Sequence, residues 1–351
     1  MNKVFKAQKE QIASSVVYTI LKTLDEKEQS NFSEMLNGTA TNQLTSINTN
    51  SNPPKVDDVT GDATIEQGTL KVFINDYNKL TGGLRTSTAK LLDVCTLVLS
   101  HQNNYKETDL NKLNKVVTIP LEEYMALCGI PDTKASKDKT RRKVNEDLDT
   151  LYHISMEWTE NSGKKTKDFA KMRLCDNVAI RKGNIIFSFT QDMAKYLTNS
   201  YVMHYPLDIL KLDERNANSY HIGKKLLLHN SIDNNRTKGT ANILSVKSLL
   251  AVCPDIPTYE EVSKSDRHLE QRIKLPLELA LNSLNFIKWE YCNSKGTPLT
   301  EEQLQATDYN CFINLFIKFD VIGVPDQTAR LERKAKRAES GNIKGTTKKK
   351  K

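Results

Sequence analysis

Residues 120–159 read PLEEYMALCGIPDTKASKDKTRRKVNEDLDTLYHISMEWT, and local chemistry divides this run into four parts. Pro120 to Cys128 predicts a short helix, because a proline in the first turn lacks only an N–H that a helix start leaves unbonded. Gly129-Ile130-Pro131-Asp132 predicts a tight turn. From Ser136 to Tyr152 a third helix is expected, with Val144, Leu148 and Leu151 sharing its buried face. Ile154 to Thr159 predicts a strand.

The flanks extend this pattern. Upstream, Thr69 to Ile74 reads as a short strand, Gly82-Gly83 as a turn, and Thr86 to His101 as a helix with Leu91, Leu92, Cys95, Val98 and Leu99 on one face. Val116 to Ile119 is a short β segment. Downstream come a polar hairpin tip at Glu160 to Lys167 and strands at Phe169 to Ile180 and Ile185 to Phe189. Three helices followed by a β-hairpin with a basic tip is the order of a winged helix-turn-helix.

The order then recurs. Tyr205 to Leu212 leads into helices at Asn216 to Ile232, Ser245 to Val252 and Asp266 to Leu284, with strands at Phe286 to Tyr291 and Asn310 to Asp320 around a long loop, Asn293 to Tyr309. Met125-Ala126-Leu127-Cys128 and Leu250-Ala251-Val252-Cys253 occupy the same place in each half, and Trp158 and Trp289 each sit in the strand after a third helix. A repeat of this length points to duplicated domains. The expected fold class is therefore α+β, with two tandem winged helix-turn-helix domains at 68–199 and 200–323. Around them, 1–30 reads as an amphipathic N-terminal helix on Val4, Phe5, Ile12, Val16, Val17, Ile20, Leu21 and Leu24. Residues 31–67 read as a disordered polar linker, and 324–351 as a basic tail.

Composition narrows the function. The chain has 351 residues and a net charge of +8. From Ala329 to Lys351, ten basic and two acidic residues account for the whole of that charge, so the body is neutral and only the tail is a generic polyanion-binding arm. No run of 18 apolar residues exists, so no helix is expected to span a bilayer. The apolar start carries Glu10 and lacks a clean cleavage site, and the expectation is a mature, cytoplasmic chain. No two of the six cysteines are closer than 19 residues, which removes the usual zinc and redox spacings. The sequence contains no G-x-x-x-x-G-K-[ST], G-x-S-x-G or H-E-x-x-H, and no two histidines are spaced by one residue. The chain is expected to have no catalytic residue, metal or cofactor.

The chemistry-bearing residues lie on the two third helices. Lys134, Lys137, Lys139, Arg141, Arg142 and Lys143 crowd the N-terminal half of the first, with Asn145 on its flank. Recognition helices touch the major groove there; arginine bridges guanine O6 and N7, and lysine holds phosphates. Lys164, Lys165 and Lys167 occupy the expected wing. In the second module Arg267, His268, Gln271, Arg272 and Lys274 take the corresponding place, and Pro276 is expected to kink the helix just after them.

The segment Arg267-His268-Leu269-Glu270-Gln271-Arg272-Ile273-Lys274-Leu275-Pro276-Leu277-Glu278-Leu279 resembles the second recognition helix of bacterial plasmid replication initiators of the twin winged-helix type. Phe187-Ser188-Phe189-Thr190 to Tyr196-Leu197 resembles their link between modules. The resemblance covers roughly Gly68 to Gly323. It departs in the second wing, which is long and poor in basic residues. It implies a non-enzymatic protein of the bacterial cytoplasm that binds double-stranded DNA at origin repeats, with a homodimer and a host helicase or initiator as partners. Two other readings stay open: a winged-helix transcriptional regulator, and a partner-binding protein whose tail alone touches DNA.

Overall fold

A computed structural model describes residues 32–37, 53–67, 70–80, 84–103, 111–161, 167–232, 235, 238–264, 268–305 and 309–322. Strands β1 (Phe32–Asn37), β2 (Lys55–Val56), β3 (Ala63–Gln67) and β4 (Leu70–Ile74) precede helix α1 (Thr86–Gln102). Every residue of α1 from Thr86 to Ser100 is buried. The single apolar face read from the sequence understates this helix, which is enclosed on all sides. Its hydroxyls satisfy themselves against the helix backbone, Thr96 donating to the Leu92 carbonyl at 2.8 Å and Ser100 to the Thr96 carbonyl at 2.6 Å, so burial leaves no orphaned donor there.

Strand β5 (Val116–Pro120) follows, then α2 (Leu121–Leu127), α3 (Lys134–Tyr152), β6 (Ile154–Asn161), β7 (Lys167–Arg173), β8 (Cys175–Arg181) and β9 (Asn184–Phe189). Two antiparallel sheets result. The larger has the order β2-β3-β4-β6-β7, and the smaller has the order β5-β9-β8. Val144, Leu148 and Leu151 of α3 are 1–2% exposed, as their spacing predicts.

The chain continues through α4 (Gln191–Thr198), β10 (Tyr201–Pro206), α5 (Asp208–Lys211) and α6 (Ala217–Ser231). It then runs through β11 (Ile243–Ser245), α7 (Val246–Leu250), α8 (Tyr259–Lys264), a π turn at Glu270–Lys274 that leads into α9 (Leu275–Asn282), and β12 (Ile287–Cys292). Short helices α10 (Glu301–Gln305) and α11 (Tyr309–Ile313) precede β13 (Phe316–Val321). The third sheet has the order β11-β13-β12. Like β5-β9-β8, it places its last strand in the middle, between its first strand and the strand that precedes the last in sequence.

Several expectations need correction. The stretch 31–67 is not wholly an unstructured linker: β1 pairs with β10, and β2 and β3 join the large sheet. Met35, Ala63 and Ile65 in this stretch are each at most 3% exposed, while Val56 and Val59 are exposed, so neighbours supply the core for its strands. The strand expected at Phe169 to Ile180 breaks at buried Leu174 into two strands of different sheets. Trp158 lies in β6 of the large sheet and Trp289 in β12, so the tryptophans are not equivalent, and the repeat rests on strand order. The strand expected from Asn310 begins as α11. The N-terminal helix at 1–30, the Gly82-Gly83 turn and the tail at 324–351 lie outside the described residues.

The two halves meet on α1. Buried Asp93 accepts hydrogen bonds from the hydroxyls of Tyr205 at 2.7 Å and Tyr220 at 2.8 Å. It also pairs with the ammonium of Lys224, and the two charged side chains are 2% and 4% exposed. Burial first, and the Asp93 charge second, hold both phenols protonated far above the ordinary tyrosine range. Lys90 donates to the Leu212 carbonyl, and Lys143 pairs with Glu214.

Candidate nucleic-acid interface

Helix α3 is set by its ends and its buried stripe. Thr133 caps it, its hydroxyl accepting the Ser136 N–H at 3.2 Å. Asp147, on the buried face, is 0% exposed and ties α3 to the start of α1, accepting from Thr88 at 2.7 Å, Ser87 at 3.1 Å and Arg85 at 3.4 Å. Burial raises the Asp147 carboxyl above its usual range, opposed by those donors. Arg85 also holds Glu146 at 2.8 Å. A buried face fixed this firmly dictates which side chains the opposite face shows.

The cations of α3 then divide into two groups. Lys134, Lys139, Arg141, Arg142 and Asn145 are exposed, and none has an ion pair or hydrogen bond among the described residues. Lys137 is occupied: it pairs with Glu122 at 2.7 Å and Asp132 at 2.9 Å, and those partners raise its pKa to about 12. Lys143 does not face outward as its spacing suggested. It is half-buried against Glu214, and burial lowers its pKa. A cleft of about 530 Å³ separates this flank of α3 from the chain at Leu210 to Arg215 and reaches Lys90. Burial lowers the Lys90 pKa from 10.5 to about 8.

The hairpin expected as a wing joins a different sheet from the one α3 packs against. The hairpin of β6 and β7 belongs to the large sheet; Lys164 and Lys165 lie outside the described residues, and Lys167 opens β7 at the edge of that sheet. The hairpin that closes the sheet of α2 and α3 is β8–β9. Its turn is Lys182-Gly183, with φ of 50° and 79°, the two positive values a two-residue hairpin of matching twist requires. Arg181 and Lys182 stand exposed on it. A basic residue followed by glycine between two apolar runs was the available signal, hidden because the strand was read as ending at Ile180.

In the second half, Arg267 lies outside the described residues. His268 is exposed in the left-handed region, at φ 80°, and its carbonyl accepts the Arg272 N–H at 2.9 Å. Gln271 and Arg272 are exposed, and Ile273 is 1% exposed. Lys274 is half-buried and lies 3.7 Å from Glu270, so it does not project outward as expected. Pro276 directly follows this set, where the helical bonding pattern changes. The turn before it widens, and the Leu275 N–H reaches back five residues to the Glu270 carbonyl. Such π turns commonly accompany a break in the α-helical bonding pattern.

Among the described residues no His, Cys, Asp or Glu cluster could hold a metal ion, and no helix is long and apolar enough to cross a membrane. What the two third helices offer is an exposed row of planar and point-charge donors on a rigid support.

The stretch that holds α1 to α5 is similar to a known domain family. Residues 68–211 match the family model described as Initiator Replication protein, WH1. Among solved structures, a selenomethionine form of domains 2 and 3 of RctB is 9% identical with a TM-score of 0.36, covering 79% of this chain and 93% of that one. A second structure of RctB domains 2-3 gives 9% identity and a TM-score of 0.36, covering 78% of this chain and 92% of that one. No curated protein matches the chain.

Proposed function

We propose that the chain is a sequence-specific, double-stranded DNA-binding replication initiator of a plasmid or related mobile element. It engages repeated origin sites through two recognition helices, and it catalyses no reaction itself. The observation that carries this reading is the exposed, unpaired set Lys134, Lys139, Arg141, Arg142 and Asn145 on α3, inside the segment that matches the initiator domain. The repeated strand order of β11-β13-β12 supports a second winged helix, with the helix from Leu269 to Asn282 as its reader. Arg142 at the centre of the outward face suits a guanine, Asn145 suits an adenine, and Lys134 and Lys139 suit phosphates on either side. In this reading the protein works in the bacterial cytoplasm, a homodimer is a regulatory form, and a host helicase is recruited by contact.

The test is binding of the full-length chain and of residues 1–328 to fragments flanking its own coding region, at about 150 mM salt with excess random competitor, where non-specific affinity is only about 10⁻⁴–10⁻⁶ M. Selective capture of one fragment by both forms, weakened by Arg142→Ala, supports the reading, and loss of replication of a test replicon by the same variant separates an initiator from a regulator. Binding that is unselective and disappears with the tail would sink it, leaving a protein partner for these modules.

A further inference from the structure

The second reading helix carries an apolar row on its outward face. Leu275 is 46% exposed and Leu279 57% exposed, while Ile273, Leu277, Ala280 and Leu281 on the opposite face are at most 1% exposed. Because the turn before α9 is a π turn, Leu275 stands one turn beyond Glu270 and Gln271, and Leu279 one turn beyond Leu275. Asn282, also exposed, closes the row. No exposed carboxylate interrupts it after Glu270: Glu278 is half-buried and accepts the Tyr291 hydroxyl at 3.1 Å. The third helix of the first half, α3, differs at this point, showing exposed Asp149, while Glu146 is held by Arg85.

We infer that Leu275 and Leu279 are specificity residues that read thymine methyl groups in the major groove; this deepens the DNA-binding reading above and rests on it. Three features favour this occupant. The row begins at Gln271 and Arg272, side chains suited to base edges, so it continues one surface. Beyond Glu270, which lies 3.7 Å from Lys274, it carries no exposed carboxylate, as suits a surface close to two phosphate strands. And two leucines cover far less than the roughly 800 Å² per partner that a stable protein interface needs, whereas a thymine methyl asks only for a small apolar contact. A helix along the groove advances about 5 Å per turn against about 3.4 Å per base step. The thymine under Leu275 therefore lies about one to two base pairs beyond the pair met by Gln271, and the thymine under Leu279 about three.

The experiment selects the tightest duplex from a randomised library with the full-length chain, then replaces each thymine in turn by deoxyuridine, which removes only the methyl group. One or two positions in the half bound by the second module should each lose about four-fold in affinity. That loss should vanish in Leu275→Ala or Leu279→Ala, whose thermal stability stays at wild type because both side chains are exposed. If a duplex is selected but no uracil costs affinity, or if the cost persists in both variants, the inference is overturned while DNA reading stands. If no duplex is enriched, DNA reading itself fails and the inference falls with it.

Discussion

Arg142 and Lys137 lie on the same helix and carry the same charge, yet the structure assigns them different work. Lys137 is held by Glu122 and Asp132, whereas Arg142 is exposed with no partner among the described residues. Arg142→Ala should weaken specific binding by about ten-fold or more, as loss of a bidentate base contact costs roughly 1–3 kcal/mol. Lys137→Ala should change affinity little, and titration of a labelled site compares the two. Lys90 gives a pH prediction. Folded, it loses its proton near pH 8 rather than at 10.5. Between those values the unfolded chain binds more protons, so this residue's contribution to stability rises with pH. Urea unfolding of wild type against Lys90→Met, from pH 7.5 to 10, should show a difference that grows with pH; a constant difference would mean that Lys90 is not buried as described.

At the scale of elements, the pairing β5-β9-β8 separates the β8–β9 hairpin, the wing of the proposed DNA-binding reading, from the larger β6–β7 hairpin. Changing Arg181-Lys182-Gly183 to Ser-Asn-Gly keeps a turn that tolerates two positive φ values and removes two cations. The slope of log affinity against log salt should fall by about two if both meet phosphates, while serine at Lys164 and Lys165 should leave it unchanged. The π turn before α9 makes a second element-level prediction. Pro276→Ala restores a backbone donor, and the helix should gain thermal stability. The turn can then tighten to α geometry and rotate Gln271 and Arg272 away from their present face, lowering affinity even as stability rises; circular dichroism melting and site titration read the two effects separately.

For the whole molecule, the controlling contact is Asp93 with Lys224, Tyr205 and Tyr220. It joins α1 of the first half to β10 and α6 of the second, and in the proposed reading it sets the separation of the two third helices. Asp93→Ala strands a buried ammonium and should cost about 3–5 kcal/mol in urea unfolding, whereas Asp93→Leu combined with Lys224→Met should recover much of that loss. The double variant should also tolerate a wider range of half-site spacings than wild type, because the directional bonds are gone.

Sequence alone determined the longer helices and most strands of both halves, but not the short helices α4, α5, α8, α10 and α11; it also determined the buried stripe of α3, the neutrality of the body and the basic row centred on Arg142. These follow from periodicity, turn chemistry and charge counting, which act over a few residues. Tertiary structure alone decided which hairpin is the wing, since strand pairing joins residues as distant as Val116 and Ser188. It decided that Lys143 is spent on Glu214 and Lys137 on Glu122 and Asp132, since an ion pair depends on what folds opposite. It placed strands in a segment too polar to form a core of its own, because β10 and β4 supply the partners. And it brought Asp93 to a lysine 131 positions away, a pairing that no local pattern encodes because only the packing of one half on the other creates it.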